Sequence, residues 1–313
     1  MINSTQNISL MSLFFACFIF LRTDARILLF AIHHNRPDFL ELQYKCLKKF
    51  LAEKNDFDFI VVSDATDKKC KQQIESICKK FNIRCVNFPQ ELHLAGVLID
   101  KMKQLGCDHL LNSSHGSVRH CQLVRFALEN FGLDSNDIVG IMEGDIFLIR
   151  AFSIREYLYN HDLIGTLQSD RRDNGLTYIW IGLSFFNLNK LPNPKTFNFD
   201  LTFVNEAFLD SGGSTYWYLK DNPYARVKTY KRVPLSALPR EDGGKLRKLG
   251  FSQKEISFLE KTLSCPACNH EFSYLAVEFH IDNHFLHYAM GRKSTDSDAK
   301  SILFKKFLSD ILT

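Results

Sequence analysis

Glu143 and Asp145 flank Gly144 at the end of the apolar run Ile-Val-Gly-Ile-Met at 138–142, and Ile-Phe-Leu at 146–148 follows at once. A buried strand thus delivers two carboxylates to one spot. An ionised carboxylate is costly to bury unless it is paired or coordinates a metal, so this pair wants a cation. Carboxylate oxygens suit hard divalent ions, and Mg2+ or Mn2+ commonly takes one or two of them together with substrate phosphates. The plain alternative is an acidic turn with glycine at a tight bend.

Other residues with chemistry to offer fall at the ends of apolar runs. Residues 26–34 end in His33-His34, with Asn35-Arg36-Pro37 behind them, and residues 58–62 lead into Ser63-Asp64. A polar insert at 112–120 carries Arg119 and precedes a helix with Leu123, Phe126, Ala127 and Phe131 on one side. A helix N-terminus there could attract an anion, or it is an ordinary capped loop. Asp210 stands in the glycine turn Asp-Ser-Gly-Gly-Ser directly before Tyr216, Trp217 and Tyr218. Glycines permit close backbone approach and aromatic faces suit sugar rings; a surface turn over a hydrophobic patch is the other reading. Residues 278–288 contain His280, His284 and His287, the first two spaced one helical turn apart. Cys265 and Cys268, with His270 and His280, have the local spacing of half a structural zinc site, against which stand paired thiols or a disulfide.

The elements that must position these groups alternate. Continuous apolar runs at 26–34 and 58–62 read as strands covered on both faces, with a short third strand at 84–88. Helical spacing falls between them: Asn35 is a plausible cap for a helix carrying Phe39, Leu42, Leu47 and Phe50, and a second helix spans 68–81. This rhythm implies an α/β fold with a Rossmann-like, mostly parallel sheet flanked by helices, whose strand C-termini share one edge. Ligands in such sheets bind at that edge, where His33, Asp64, Glu143 and Asp145 all fall. A mostly helical stretch at 95–131 precedes the acidic strand. A helix at 153–159, strands at 163–167 and 177–188, a basic loop at 228–248, and helices at 253–262 and 297–312 follow it.

The whole chain of 313 residues is 45% hydrophobic and can bury a large core, so it is not a disordered polypeptide. A formal net charge of +4, with dispersed Lys and Arg, does not argue for nucleic acid. Residues 8–21 are nearly all apolar and match a signal-peptide core better than a full membrane span, with Thr23-Asp24-Ala25 as a cleavage site. An uncleaved signal anchor, giving membrane association, and a buried helix are the alternatives. The expected organisation is a targeting segment at 1–25, one large domain at 26–290 and a C-terminal helix at 291–313. The protein is then exported or lumenal. Eight of its nine cysteines fall in the mature part, an even number that permits disulfides without requiring them.

In order and spacing, His-His-Asn-Arg-Pro at 33–37, Ser63-Asp64, Glu143-Gly144-Asp145, the run 180–188, Asp210-Ser-Gly-Gly and Phe285-Leu-His-Tyr288 resemble the nucleotide-sugar glycosyltransferases of the GT-A type. The resemblance spans most of residues 26–288. It implies transfer of a sugar from a nucleotide diphosphate donor to a glycan, lipid or protein acceptor with a divalent ion, Mn2+ or Mg2+. In that family an Asp-x-Asp motif holds the ion and the donor diphosphate, and a late histidine can complete the metal shell. Carried over, Asp145 becomes the main metal ligand, Glu143 a contact to ribose or a metal-bound water, and His287 the remaining ligand, with His280 and His284 as alternatives. Asp64 meets the nucleoside, His33, Asn35 and Arg119 line the same pocket, and Asp210 faces the sugar or acceptor and is the general base if the reaction inverts. Arg292 or Lys293 is a further candidate for phosphate. Glu143 replaces the usual first Asp, which motivates the competing expectation of a non-catalytic binder of glycans or partners on the same fold. A nucleotidyltransferase would carry a glycine-rich basic loop where this chain has His-His-Asn-Arg-Pro.

Overall fold

The computed structural model describes residues 26–94, 100, 103–104, 116–133, 137–169, 175–205, 207–234, 243–248, 250–264, 277–288 and 297–313. The expected targeting segment, Cys265, Cys268, His270, Arg292 and Lys293 lie outside the described residues. Among the described residues no helix is long and apolar enough to cross a membrane. Cys46, Cys70, Cys78, Cys85 and Cys121 are free thiols.

Strand β1 (Ile27–His33) is buried at every position, as its unbroken apolar sequence demands of a strand covered on both faces. Helix α1 (Pro37–Phe50) follows, starting on a proline whose fixed φ suits a first helical turn. Asn35 does not cap it. Arg36 holds the cap position without a side-chain bond, and Asn35 sits at φ 48°, a left-handed conformation that asparagine tolerates. Strand β2 (Phe57–Ser63) leads to α2 (Lys68–Lys80), where Asp67 accepts from the Cys70 N–H as a true cap, and then to β3 (Arg84–Asn87). Helix α3 (Gly116–Ala127) precedes β4 (Ile138–Glu143).

Strands β4, β1, β2 and β3 lie side by side in parallel. Alternate β1 side chains go to opposite faces. Leu28 and Phe30 pack with Val118, Cys121 and Val124 of α3, while Leu29 and Ala31 pack with Leu40 and Leu47 of α1 and Ile74 of α2. The helices therefore cover both faces and leave the strand ends at one edge, where β1, β2 and β4 deliver His33, Asp64 and Glu143.

On the other side of β4 the order is β9 (Leu183–Asn187), β6 (Leu163–Gly165) and β12 (Val227–Thr229). Only β9 runs against the rest, which makes a seven-stranded, mostly parallel sheet. Two expected strands are each divided. The chain leaves the sheet after Gly165 to start β7 (Leu167–Ser169), which pairs with β8 (Thr177–Ile179) in a separate hairpin. The run at 177–188 then breaks between β8 and β9, where the Trp180 ring fills the space a Cβ at Gly182 would take, 2.1 Å away.

A second sheet adjoins the first. Strand β5 (Ile146–Leu148) resumes two residues beyond β4 and pairs with β15 (Phe285–His287), which pairs with β14 (Glu278–His280) and then β13 (Val233–Pro234). Its core is aromatic. Phe304 of α8 (Ser297–Leu312) packs on Phe39, Phe147 and Tyr288 at centroid distances of 6.0, 5.3 and 5.0 Å.

Candidate functional site

The acidic turn is held by a buried polar relay from the helix above it. Gln43 of α1 occupies a position on the apolar face of its helix, with Phe39, Leu40, Cys46 and Leu47. Its amide donates to the carbonyls of Glu143 and Ile146, each at 2.8 Å, and its oxygen lies 3.0 Å from His33 Nε2. Gly144 N–H donates to Ile32 O, and a Cβ at Gly144 would stand 2.6 Å from His33 Nδ1. The turn therefore needs glycine for close approach. His33 itself is fully buried, so it lines no open pocket, contrary to the sequence reading. Its place is inside the support of the turn.

Strand register then sets a histidine beside the acids. His287 pairs with Ile146 across β15 and β5, and Tyr288 N–H donates to Asp145 O. His287 Nε2 stands 3.3 Å from Glu143 Oε2 and 3.5 Å from Asp145 Oδ1. The two carboxylates keep 23% and 24% of their side-chain surface open, so a ligand can reach them. The ligand atoms of all three residues lie within 4.8 Å of one another. Two carboxylates and one imidazole suit a hard or borderline divalent ion.

These charges shape each other. Burial alone would raise the Glu143 carboxyl, but hydrogen bonds from His120 and His287 hold it well below the usual range. Burial would strip the His287 ring of its proton; the Asp145 charge and bonds to Asp145, Glu143 and Glu278 instead hold its pKa well above the ordinary 6.5. His280 and His284 are not a turn apart on a helix. His280 ends β14, where it is fully buried and stacks on Trp180 at 5.5 Å, and burial pushes it down to about 4. His284 lies in the hairpin turn and packs on Phe152.

One turn of α3 ties the site together. The helix begins at Gly116, so Arg119 and His120 belong to its opening turns and not to the expected polar insert. Arg119 donates to both Asp64 oxygens, at 2.8 and 2.6 Å. His120 Nδ1 reaches Glu143 Oε1 at 3.1 Å. The Cys121 thiol, raised to about 12 by burial, also feels the Asp210 charge and bonds toward Ser211 and Gly212. Three successive residues thus touch the ends of β2 and β4 and the glycine turn.

Asp64 is nearly buried; Gln90 and His34 add to its Arg119 contacts. Asn35 joins the loops after β1 and β2, accepting from the N–H groups of Thr66 and Asp67. Asp210 accepts from Ser211 N–H in a turn that packs on the end of β8, where a Cβ at Gly212 would strike Ile179 O. The aromatics beyond it form α5 (Thr215–Asp221), with Tyr218 buried and Trp217 partly exposed. Sequence reasoning missed Gln43, His120 and Glu278. A polar residue on an apolar helical stripe was a readable sign of Gln43; the other two depend on sheet order.

No protein-family model matches the chain, and no curated protein does. Solved structures do match. The galactosyltransferase LgtC, in complex with donor and acceptor sugar analogues, is 13% identical over 92% of this chain and 96% of its own, with a TM-score of 0.42. The mannosyltransferase PcManGT from Pyrobaculum calidifontis, in complex with GDP-Man and Mn2+, is 13% identical over 66% of this chain and 55% of its own, with a TM-score of 0.39. The mannosyltransferase Ktr4p from S. cerevisiae is 10% identical over 55% of this chain and 59% of its own, also at 0.39. The chain spans 33% to 60% of the length of several structures it matches. All of these are glycosyltransferases, the class of enzyme that the sequence resembles. The likeness is distant.

Proposed function

We propose that the protein transfers a sugar from a nucleoside diphosphate donor to a hydroxyl acceptor, with a divalent ion at the acidic turn. The observation that carries this reading is the convergence of Glu143, Asp145 and His287 at the carboxyl edge of the sheet, all within 4.8 Å and with both carboxylates partly open. The donor set fits Mn2+ or Mg2+. Asp145 is the principal ligand because Glu143 already has an imidazole at each oxygen, while among the described histidines Asp145 is paired with His287 alone. When bound, the ion would neutralise the charge that grows on a departing diphosphate.

The chain's own groups supply the rest. Asp64 sits at the edge where open α/β sheets take nucleotides, and Arg119 holds it in place. Asn35 fixes the loop beside it. Asp210, in the glycine turn, faces the sugar or the acceptor, and takes the proton of the acceptor hydroxyl if the transfer inverts. The acceptor is a glycan, lipid or protein. The apolar segment at 8–21 fits the same reading, since it would deliver the domain to a lumenal or extracellular compartment.

A second reading draws on His287. A protonated ring within 3.5 Å of both acids already supplies positive charge there, as a non-catalytic binder would need. Thermal-shift measurement of the protein with UDP, GDP and CDP, with and without Mn2+, separates the two. A ligand that binds only the folded state at a hundred times its Kd adds about 2.7 kcal/mol of stability. The transferase reading expects such a shift for one nucleotide, and only with Mn2+. No shift with any nucleotide would favour the binder.

A further inference from the structure

We propose that Glu278 is the positioning residue that makes His287 a metal ligand. This role rests on the metal reading of Glu143, Asp145 and His287. Glu278 is the direct cross-strand partner of His287 in the β14–β15 pair, and opposed side chains on one face of such a pair interact. Glu278 Oε2 stands 3.4 Å from His287 Nδ1, while Nε2 of the same ring faces Glu143 and Asp145 at 3.3 and 3.5 Å. A carboxylate therefore stands at each nitrogen. A neutral imidazole has one N–H and one lone pair. With Nδ1–H donated to Glu278, the lone pair of Nε2 points at the acidic turn. Metal-bound histidines are held in this way, by a carboxylate or carbonyl at the other ring nitrogen.

Glu278 is itself fixed from two further sides. Arg232 lies 3.8 Å from the same Oε2 and covers the Trp180 ring at 4.9 Å, and His280 Nε2 lies 3.5 Å from that oxygen. Glu278, His280 and His287 also have ligand atoms within 4.8 Å of one another, which makes a second ion the rival occupant. Two facts weigh against it. The guanidinium already places a positive charge beside Oε2, the oxygen that faces both rings, and His287 has no second lone pair to give while Nε2 serves the acidic turn.

The test is a titration of the full chain with Mn2+ alone, counting free ion by electron paramagnetic resonance, for the natural protein and for Glu278→Gln. The amide keeps the shape, is a weaker acceptor and can turn its NH2 toward Nδ1, which favours the wrong tautomer. One ion per natural chain, and binding weakened about 10- to 100-fold in Glu278→Gln with unchanged near-ultraviolet circular dichroism, is the expected result. Glu278→Asp, which keeps the carboxylate, should recover part of the loss. Equal affinity in Glu278→Gln would overturn the positioning role and leave the metal site standing. Two ions per natural chain, one of them lost in Glu278→Gln, would overturn it in favour of a second site. No Mn2+ binding by the natural protein would overturn both. Should Glu278→Gln fail to fold, nitrogen-15 spectra of the histidine-labelled natural protein with Zn2+ decide the matter. A proton on Nδ1 of His287 supports the role; a proton on Nε2 overturns it.

Discussion

Asp64 and Arg119 meet in a two-pronged ion pair at the carboxyl edge of the sheet, Nε to Oδ2 at 2.8 Å and a terminal nitrogen to Oδ1 at 2.6 Å. Their side chains are only 2% and 8% exposed, so neither charge has bulk water to fall back on. Removing one partner of a buried pair costs about 3–5 kcal/mol, while replacing both with apolar groups of similar volume is often neutral. Arg119→Met should therefore lose about that much stability in urea unfolding, and Asp64→Leu combined with Arg119→Met should regain most of it. A single-variant loss below about 1 kcal/mol would place the pair among the weak surface bridges.

Gly144→Ala is expected to disturb the acidic turn from inside. The new methyl would stand 2.6 Å from His33 Nδ1 and 2.8 Å from Ile32 O, and neither a buried ring nor a strand carbonyl can give way easily. Overpacking of this kind costs about 1–3 kcal/mol. Calorimetric melting of the variant should show the loss; an unchanged melting temperature would mean that the turn is looser than its hydrogen bonds indicate.

The support of the site was only partly legible in the sequence, and the misses share a cause. Runs such as Ile-Leu-Leu-Phe-Ala-Ile in β1 could be read because a strand covered on both faces has no polar positions to confuse it. The same strand end hid the place of His33, since pleating turns its ring inward beneath Gly144, a matter of face and not of residue type. His280 and His284 looked helical by their spacing; only the pairing of β14 with β15 reveals a hairpin, and the same pairing brings Glu278 to His287. Trp180 marked the break in its run only once Gly182 was seen to make room for its ring.

The charged cluster gives the metal-free protein a pH signature. The His287 pKa is raised above the ordinary 6.5, so its contribution is full below pH 6.5 and fades as pH rises through the higher folded value. Glu143 and Glu278 are depressed below the ordinary 4.5, so theirs is full above pH 4.5 and fades as pH falls through their folded values. Both contributions are complete together between pH 4.5 and 6.5, while His280, pushed down to about 4 by burial, works against stability as pH falls below 6.5. The His287 share is therefore read as the difference in metal-free unfolding free energy between the natural protein and His287→Gln, which should shrink as pH rises above 6.5. Because a ligand histidine must give up its proton, Mn2+ affinity should rise with pH above that window. Affinity independent of pH from 6 to 9 would contradict the place given to His287.

Helix α8 is expected to matter for folding although it lies outside the main sheet. Phe304 is 1% exposed among Phe39, Phe147 and Tyr288, and Phe147 lies on β5, directly beyond the acidic turn. Phe304→Ala should cost about 3–5 kcal/mol by chemical denaturation, as deleting a buried ring does. A loss under about 1 kcal/mol would show that the helix is a loosely held appendage.

The most direct test is isothermal titration of the natural protein and of Asp145→Asn with the nucleoside diphosphate chosen by thermal shift, each with and without Mn2+. Asp145 is partly open and its carboxylate is not part of the turn's backbone support, so the variant should still fold, its metal-free melt lowered only by the loss of the attraction between Asp145 and His287. The expected result is Mn2+-dependent binding in the natural protein and none in Asp145→Asn. Nucleotide binding that survives the substitution, or that needs no metal in either protein, would contradict the assignment of the acidic turn as the metal and diphosphate site.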